Sequence, residues 1–146
     1  MSLRADLQKR ISQLKGRIEN ASQIQEGDIP VENPEEMLKE LDTCLQQLEE
    51  LIIRINKTNQ ETVLADGQTL TAKIAKRDIL KQKASILNDI YRHLTQSHDR
   101  FSRQEIKYEN VLNAAELHKS ADACAKLLRE VDVEIQSTNW NIDLCD

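Results

Sequence analysis

The sequence predicts an all-α protein of four long helices, built as two similar antiparallel helical hairpins with a small β-hairpin at one end. Three observations favour this fold class. The 146 residues include only 3 Gly and 2 Pro, and aromatic residues make up only 3%. Sandwiches, barrels and doubly wound sheets use Gly and Pro in frequent turns, so these classes are disfavoured. Apolar residues also recur in steps of three and four over long segments, which is typical of packed helices. The length predicts a single domain over residues 1–146.

The first helix is predicted over about residues 3–25. Its apolar positions follow the alternating steps of a heptad repeat, which predicts a narrow packing seam. Those positions are Leu7, Ile11, Leu14, Ile18 and Ala21. Gly27 and Pro30 follow, and together they indicate that the helix has ended.

The second helix is predicted to begin after Asn33, whose side chain can cap it, with Pro34 in the first helical position. It runs to about Thr58 and completes the first helical hairpin, over about 3–58. Three adjacent apolar columns run along it: Leu41, Leu48 and Ile55; Met37, Cys44 and Leu51; and Leu38, Leu45 and Ile52. A stripe of this width predicts contacts with more than one neighbour.

A β-hairpin is predicted over about residues 62–70. Two β-prone triplets flank Asp66 and Gly67, and Asp-Gly is a preferred centre of a type I′ turn. An ordinary loop between two helices that contains a turn remains the alternative.

The second helical hairpin is predicted over about residues 71–138. Its first helix ends near Ser97, an irregular segment follows over about 98–112, and Asn113 caps the last helix. The seam of that last helix again steps by four and three, through Leu117, Ala121, Cys124, Leu128, Val131 and Ile135.

The two hairpins read as an internal duplication. Residues 33–64 align without a gap on residues 113–144, and 11 of the 32 aligned positions are identical, including Cys44 with Cys124. Each hairpin also consists of a basic helix followed by an acidic one. Coincidence between two sequences of similar heptad pattern is the alternative interpretation.

The bulk composition excludes several classes of protein. No segment approaches the roughly 20 apolar residues of a membrane span, and the N-terminus is polar, without the apolar region of a signal peptide. A pI near 5.3 disfavours nucleic-acid binding. The three cysteines (Cys44, Cys124 and Cys145) suggest reduced thiols inside a cell. We therefore expect a cytoplasmic protein.

No catalytic motif is visible, so the sequence predicts neither an enzyme nor a cofactor. The histidines lack the spacing of a helical zinc pair; His98 could join a metal site, but a solvated loop is the favoured interpretation. Cys44 and Cys124 are interpreted as small core residues rather than redox groups.

In the irregular segment, three basic side chains beside aromatic residues could bind an anion, or simply remain in water. They are Arg100, Arg103 and Lys107.

Several strings of residues resemble, in their order and spacing, a family of small bacterial helical proteins described as septicolysin-like. The strings are RADLQKRI at 4–11, INKTN at 55–59, DGQTLT at 66–71, RQEIK at 103–107 and TNW at 138–140. The resemblance implies a bacterial, cytoplasmic-type helical protein that could be oligomeric. The family's name implies a cytolysin, but no motif carries that activity to residues of this chain.

The sequence therefore favours a non-enzymatic interaction or scaffold protein that forms a homo-oligomer. The third column of the second helix, with Ile53 beside it, would be left over in a lone four-helix bundle and is the predicted self-association surface: Leu38, Leu45, Ile52 and Ile53. A membrane-active protein is one alternative, and it depends on the family's name alone. An anion- or metal-binding module that uses residues 98–107 is the other.

Overall fold

The computed structural model describes residues 2–96 and 108–142, and all of its regular secondary structure is helical. The four helices are α1 (Ser2–Ala21), α2 (Pro34–Glu61), α3 (Leu70–Thr95) and α4 (Ala114–Trp140). The prediction of an all-α protein with four long helices is confirmed.

Short polar side chains cap three of the helices at their N-termini. The Asn33 side-chain oxygen accepts a hydrogen bond from the backbone N–H of Glu35 at 3.0 Å, and α2 begins at Pro34. Thr69 caps α3 through its hydroxyl oxygen. Asn113 accepts two backbone N–H groups at the start of α4. Each cap satisfies donors that have no partner within the helix.

The chain divides into two units near Thr58. In the first unit, a small apolar cluster consists of Leu14 from α1 and Met37 and Cys44 from α2. The partly buried side chains packed against it are Ile11, Ile18, Ala21 and Leu41. Two arginines of α1 add ion pairs, Arg10 with Glu40 and Arg17 with Glu32. The first unit is therefore held together by an apolar cluster and by ion pairs beside it.

The second unit runs from Asn59 and contains the packed pair α3 and α4. Leu70, Val131 and Ile135 form its buried cluster, with Leu64, Ile74, Leu80 and Ile142 packed around them. The Cys124 thiol, on α4, donates a hydrogen bond to the backbone carbonyl of Leu80 at 3.3 Å. Leu70, which begins α3, has no exposed surface within this cluster.

The predicted β-hairpin over 62–70 is not supported. In the described part of the chain, an isolated antiparallel bridge joins Val63 to Thr69, and no strand forms. α3 begins at Leu70, so it takes the last residue of the second arm, while residues 62–69 form the turn between the two helices. The turn is not type I′ either, because that type needs positive φ at both central residues and Gly67 (81°) has no non-glycine neighbour with positive φ.

The internal duplication is likewise not supported. The cluster in the first unit uses Met37 and Cys44, whereas that in the second uses Val131 and Ile135. In the alignment at an offset of 80, those last two correspond to positions 51 and 55. The helices differ in length as well, with 20 residues in α1 against 26 in α3. The two helical pairs therefore differ in length and in their apolar clusters, although Cys44 and Leu51 align with Cys124 and Val131, and all four are buried.

Candidate functional site

The three apolar columns of α2 differ sharply in burial. Met37, Cys44 and Leu51 are buried, and Leu41, Leu48 and Ile55 are half-buried. The third column, which we call the α2 row, consists of Leu38, Leu45 and Ile52. Leu38 is 48% exposed, Leu45 is 44% exposed, and Ile52 is half-buried. Ile53, beside the row, is 59% exposed. The four residues predicted to mediate self-association thus form a partly exposed apolar stripe.

A second apolar column lies on α3 and was missed in the sequence analysis. Ile79 is 63% exposed and Ile86 is 49% exposed. They line a surface groove of about 180 Å³ with Gln82, Lys83 and Leu87. Ala72, also exposed, precedes Ile79 by seven residues, and Ile86 follows it by seven. We call Ala72, Ile79 and Ile86 the α3 row; its step of seven was the signal that could have revealed it.

A buried lysine is the most unusual charged group of the second unit. The Lys73 ammonium lies 2.5 Å from the Asp66 carboxylate and 2.8 Å from the Glu134 carboxylate. The hydrogen bonds that Lys73 donates to Asp66 and then to Glu134 raise the pKa of Lys73 above its ordinary value. The hydrogen bond from Lys73, and then one from the backbone N–H of Gln68, lower the pKa of Asp66. A lysine held protonated in this way is a poor nucleophile or general base, so the cluster is a structural link between the 62–69 turn and α4.

A groove of about 550 Å³ lies beside this cluster. Its walls are the 62–66 segment and the end of α4, including Ser137, Thr138 and Asn141. The Thr138 hydroxyl donates to the Glu134 carbonyl, and the Asn141 amide donates to the Ser137 carbonyl. The Thr138 hydroxyl and the Asn141 amide therefore bond within their own helix end.

Cys44 and Cys124 are both buried free thiols. Cys44 packs in the cluster of the first unit, and Cys124 lies on the α4 face that meets α3. The interpretation of these residues as small core side chains agrees with their burial.

The predicted anion site, Arg100, Arg103 and Lys107, lies outside the described residues, as does His98, so the alternative of a binding module over 98–107 stays a prediction. Among the residues that the structure describes, no three His, Cys, Asp or Glu side chains are grouped to hold a metal ion. His118 lies on α4, with its ring centroid 4.9 Å from that of Tyr91 and its Nε2 3.5 Å from the Asp122 carboxylate.

None of the helices in the described ranges combines the length and the apolar character needed to cross a membrane.

Comparison with known proteins places the chain in a defined family. The model of the family described as "Family of unknown function (DUF6847)" matches residues 4–144. The crystal structure of a functionally unknown conserved protein from Corynebacterium diphtheriae is similar, with 40% sequence identity and a TM-score of 0.91. The similarity covers 99% of this chain and 94% of that one. A search of curated proteins gives no match.

These findings overturn the predicted resemblance to septicolysin-like proteins, because neither the family model nor the solved structure indicates such a family. The strings that suggested it are only three to eight residues long, and their order did not identify the family. The alternative of a membrane-active cytolysin depended on that name alone, and it is withdrawn with the resemblance.

Proposed function

The chain belongs to this family of unknown function, and we propose that it is a non-enzymatic scaffold protein that self-associates through the α2 row and Ile53. One observation carries the proposal. Leu38 and Leu45, seven residues apart on one helix, keep nearly half of their surface exposed while the neighbouring column of α2 is buried. A heptad column that the chain does not use for its own core is the usual means by which one helix packs on another.

The apolar surface in this stripe is large enough to matter energetically. Fully burying a Leu or Ile side chain stabilises by roughly 1.5–3 kcal/mol. Leu38, Leu45 and Ile53 are each about half exposed, so covering each would contribute about 1 kcal/mol. A symmetric contact uses the stripe twice and doubles that gain.

Light scattering coupled to size exclusion tests the proposal. We expect the wild-type chain to elute with a mass that is a multiple of 16.8 kDa. The double variant Leu38→Gln/Leu45→Gln should shift toward the mass of one chain, because two polar amides would have to be desolvated in the contact.

Leu127→Gln is the matched control, since Leu127 on α4 has the same residue type and a similar exposed fraction, 47%. This control should keep the wild-type mass. A wild-type mass of one chain at every concentration up to hundreds of micromolar would refute the proposal.

A further inference from the structure

Two exposed charge columns of opposite sign accompany the two apolar rows. On α2, Asp42 and Glu49 each follow a leucine of the α2 row by four residues. On α3, Lys76 precedes Ile79 by three residues and Lys83 follows it by four. Within residues 2–96 and 108–142, none of these four charged side chains takes part in an ion pair. The α2 row thus has an acidic margin, and the α3 row has a basic one.

The two margins lie on the same side of their rows. Positions three before and four after a residue are adjacent on a helix surface, and both lie on one side of it. When two such helices pack in parallel through their apolar rows, their charge margins lie on opposite sides of the contact. When the two helices pack antiparallel, both charge margins lie on the same side of the contact and face each other. The margins therefore favour an antiparallel pairing of an α2 row with an α3 row.

One register brings all of these residues together. Placing Leu45 opposite Ile79 also places Leu38 opposite Ile86 and Ile52 opposite Ala72, because both rows advance in steps of seven. In the same register, to within one residue, Asp42 lies opposite Lys83 and Glu49 lies opposite Lys76. Apolar rows flanked by opposite charges are the arrangement that sets partner and orientation in paired helices.

We infer that a second copy of this chain covers the α2 row with its α3 row, antiparallel and in this register. The inference rests on the proposed self-association and names the partner of that surface. Each copy has both rows, so each copy can offer either row to its partner.

An antiparallel pairing of two α2 rows is disfavoured by the same charges, because it would bring the acidic margin of one copy against that of the other. Like charges placed together are unfavourable at an interface.

Reversing the charges separately and together tests the inference. One variant carries Lys76→Glu and Lys83→Glu, so that both of its margins are acidic. The other carries Asp42→Lys and Glu49→Lys, so that both of its margins are basic. Each variant alone should associate more weakly than wild type by roughly tenfold or more in dissociation constant. An equimolar mixture should recover the wild-type mass, because each acidic margin then meets a basic one.

The matched control reverses two charges away from the rows, Glu50→Lys and Lys81→Glu. Circular dichroism checks that every variant keeps its helix content. Sedimentation velocity and light scattering then give the masses, and higher NaCl should weaken the wild-type contact by screening.

Recovery in the mixture, with the control unaffected, supports the inference. Two results would overturn it: an α3 variant that associates as the wild type does, or two weakened variants whose mixture fails to recover. In both cases self-association through the α2 row still stands, whereas a monomeric wild-type chain removes the proposed function itself.

Discussion

Truncating Leu70 to Ala should cost more stability than the same change at an exposed leucine. Leu70 has no exposed surface and belongs to the cluster with Val131 and Ile135. The substitution removes three buried carbon atoms, each worth about 0.8 kcal/mol of transfer free energy. The cavity that remains adds to this, so we expect a loss of about 3 kcal/mol in the free energy of unfolding. For a chain of 146 residues, an unfolding entropy of about 0.3 kcal/mol/K converts this loss into a decrease in Tm of about 10 °C.

Thermal melts followed by circular dichroism at 222 nm measure Tm, and urea titrations give the free energy independently. Leu127→Ala is the matched control, because Leu127 is 47% exposed on α4 and alanine is the better helix former. Its Tm should change by less than about 3 °C. Equal losses for the two variants would show that Leu70 does not hold the core position described here.

Three further predictions follow from single positions. Gly67→Val should lower the free energy of unfolding by about 1–2 kcal/mol and so lower Tm, because Gly67 has a φ of 81° that a β-branched residue resists. Gly67→Asn should cost less, because asparagine tolerates a positive φ. Equal Tm values for the two variants would argue against backbone strain. Gly16→Ala in the interior of α1, where nothing lies within 4 Å of an added Cβ, should raise the free energy of unfolding by about 0.5–1 kcal/mol in urea titrations. Because the pKa of Asp66 is lowered, the contribution of Asp66 to folding stability is present above its ordinary pKa of 3.8 and is lost as pH falls below that value. Asp66→Asn should therefore flatten the acid side of a plot of Tm against pH. An acid side that is unchanged in this variant would contradict the pairing of Asp66 with Lys73.

The helices and much of the core were predictable because they depend on local chemistry. The capping residues Asn33 and Asn113 and the steps of three and four located α2 and α4, and Leu14 and Cys44 fell on the predicted seams. These signals act within one or two helical turns, so they can be read without knowing the partner helix.

The rotation of each helix about its axis was not predictable in the same way. Three apolar columns on α2 are equally good candidates for burial, and the neighbouring elements decide that Met37 is covered while Leu38 is not. Lys73 shows the same limit. A heptad pattern assigns a lysine to the surface, and its burial depends on Asp66 and Glu134, which come from a turn and from another helix. The turn at Gly67 was located correctly but given the wrong type, because Asp66 does not have the positive φ that a type I′ turn needs.

Among the described residues, exposed apolar side chains indicate association only where they repeat regularly along one face of a helix. Nine apolar side chains are buried there, and sixteen large ones are exposed. Scattered exposed apolar residues are normal on a protein surface, and Val31 and Val111, which lie in connections, need no partner. Leu38, Leu45 and the α3 row differ because they repeat at seven residues along a helix. Each row has exposed charges of one sign along one side, Asp42 and Glu49 on α2 and Lys76 and Lys83 on α3. Hydrophobic burial alone would let these rows pair with any apolar surface. The acidic and basic margins would make the two directions and the alternative pairings unequal in energy, which is how a chain with 31% charged residues can specify one contact.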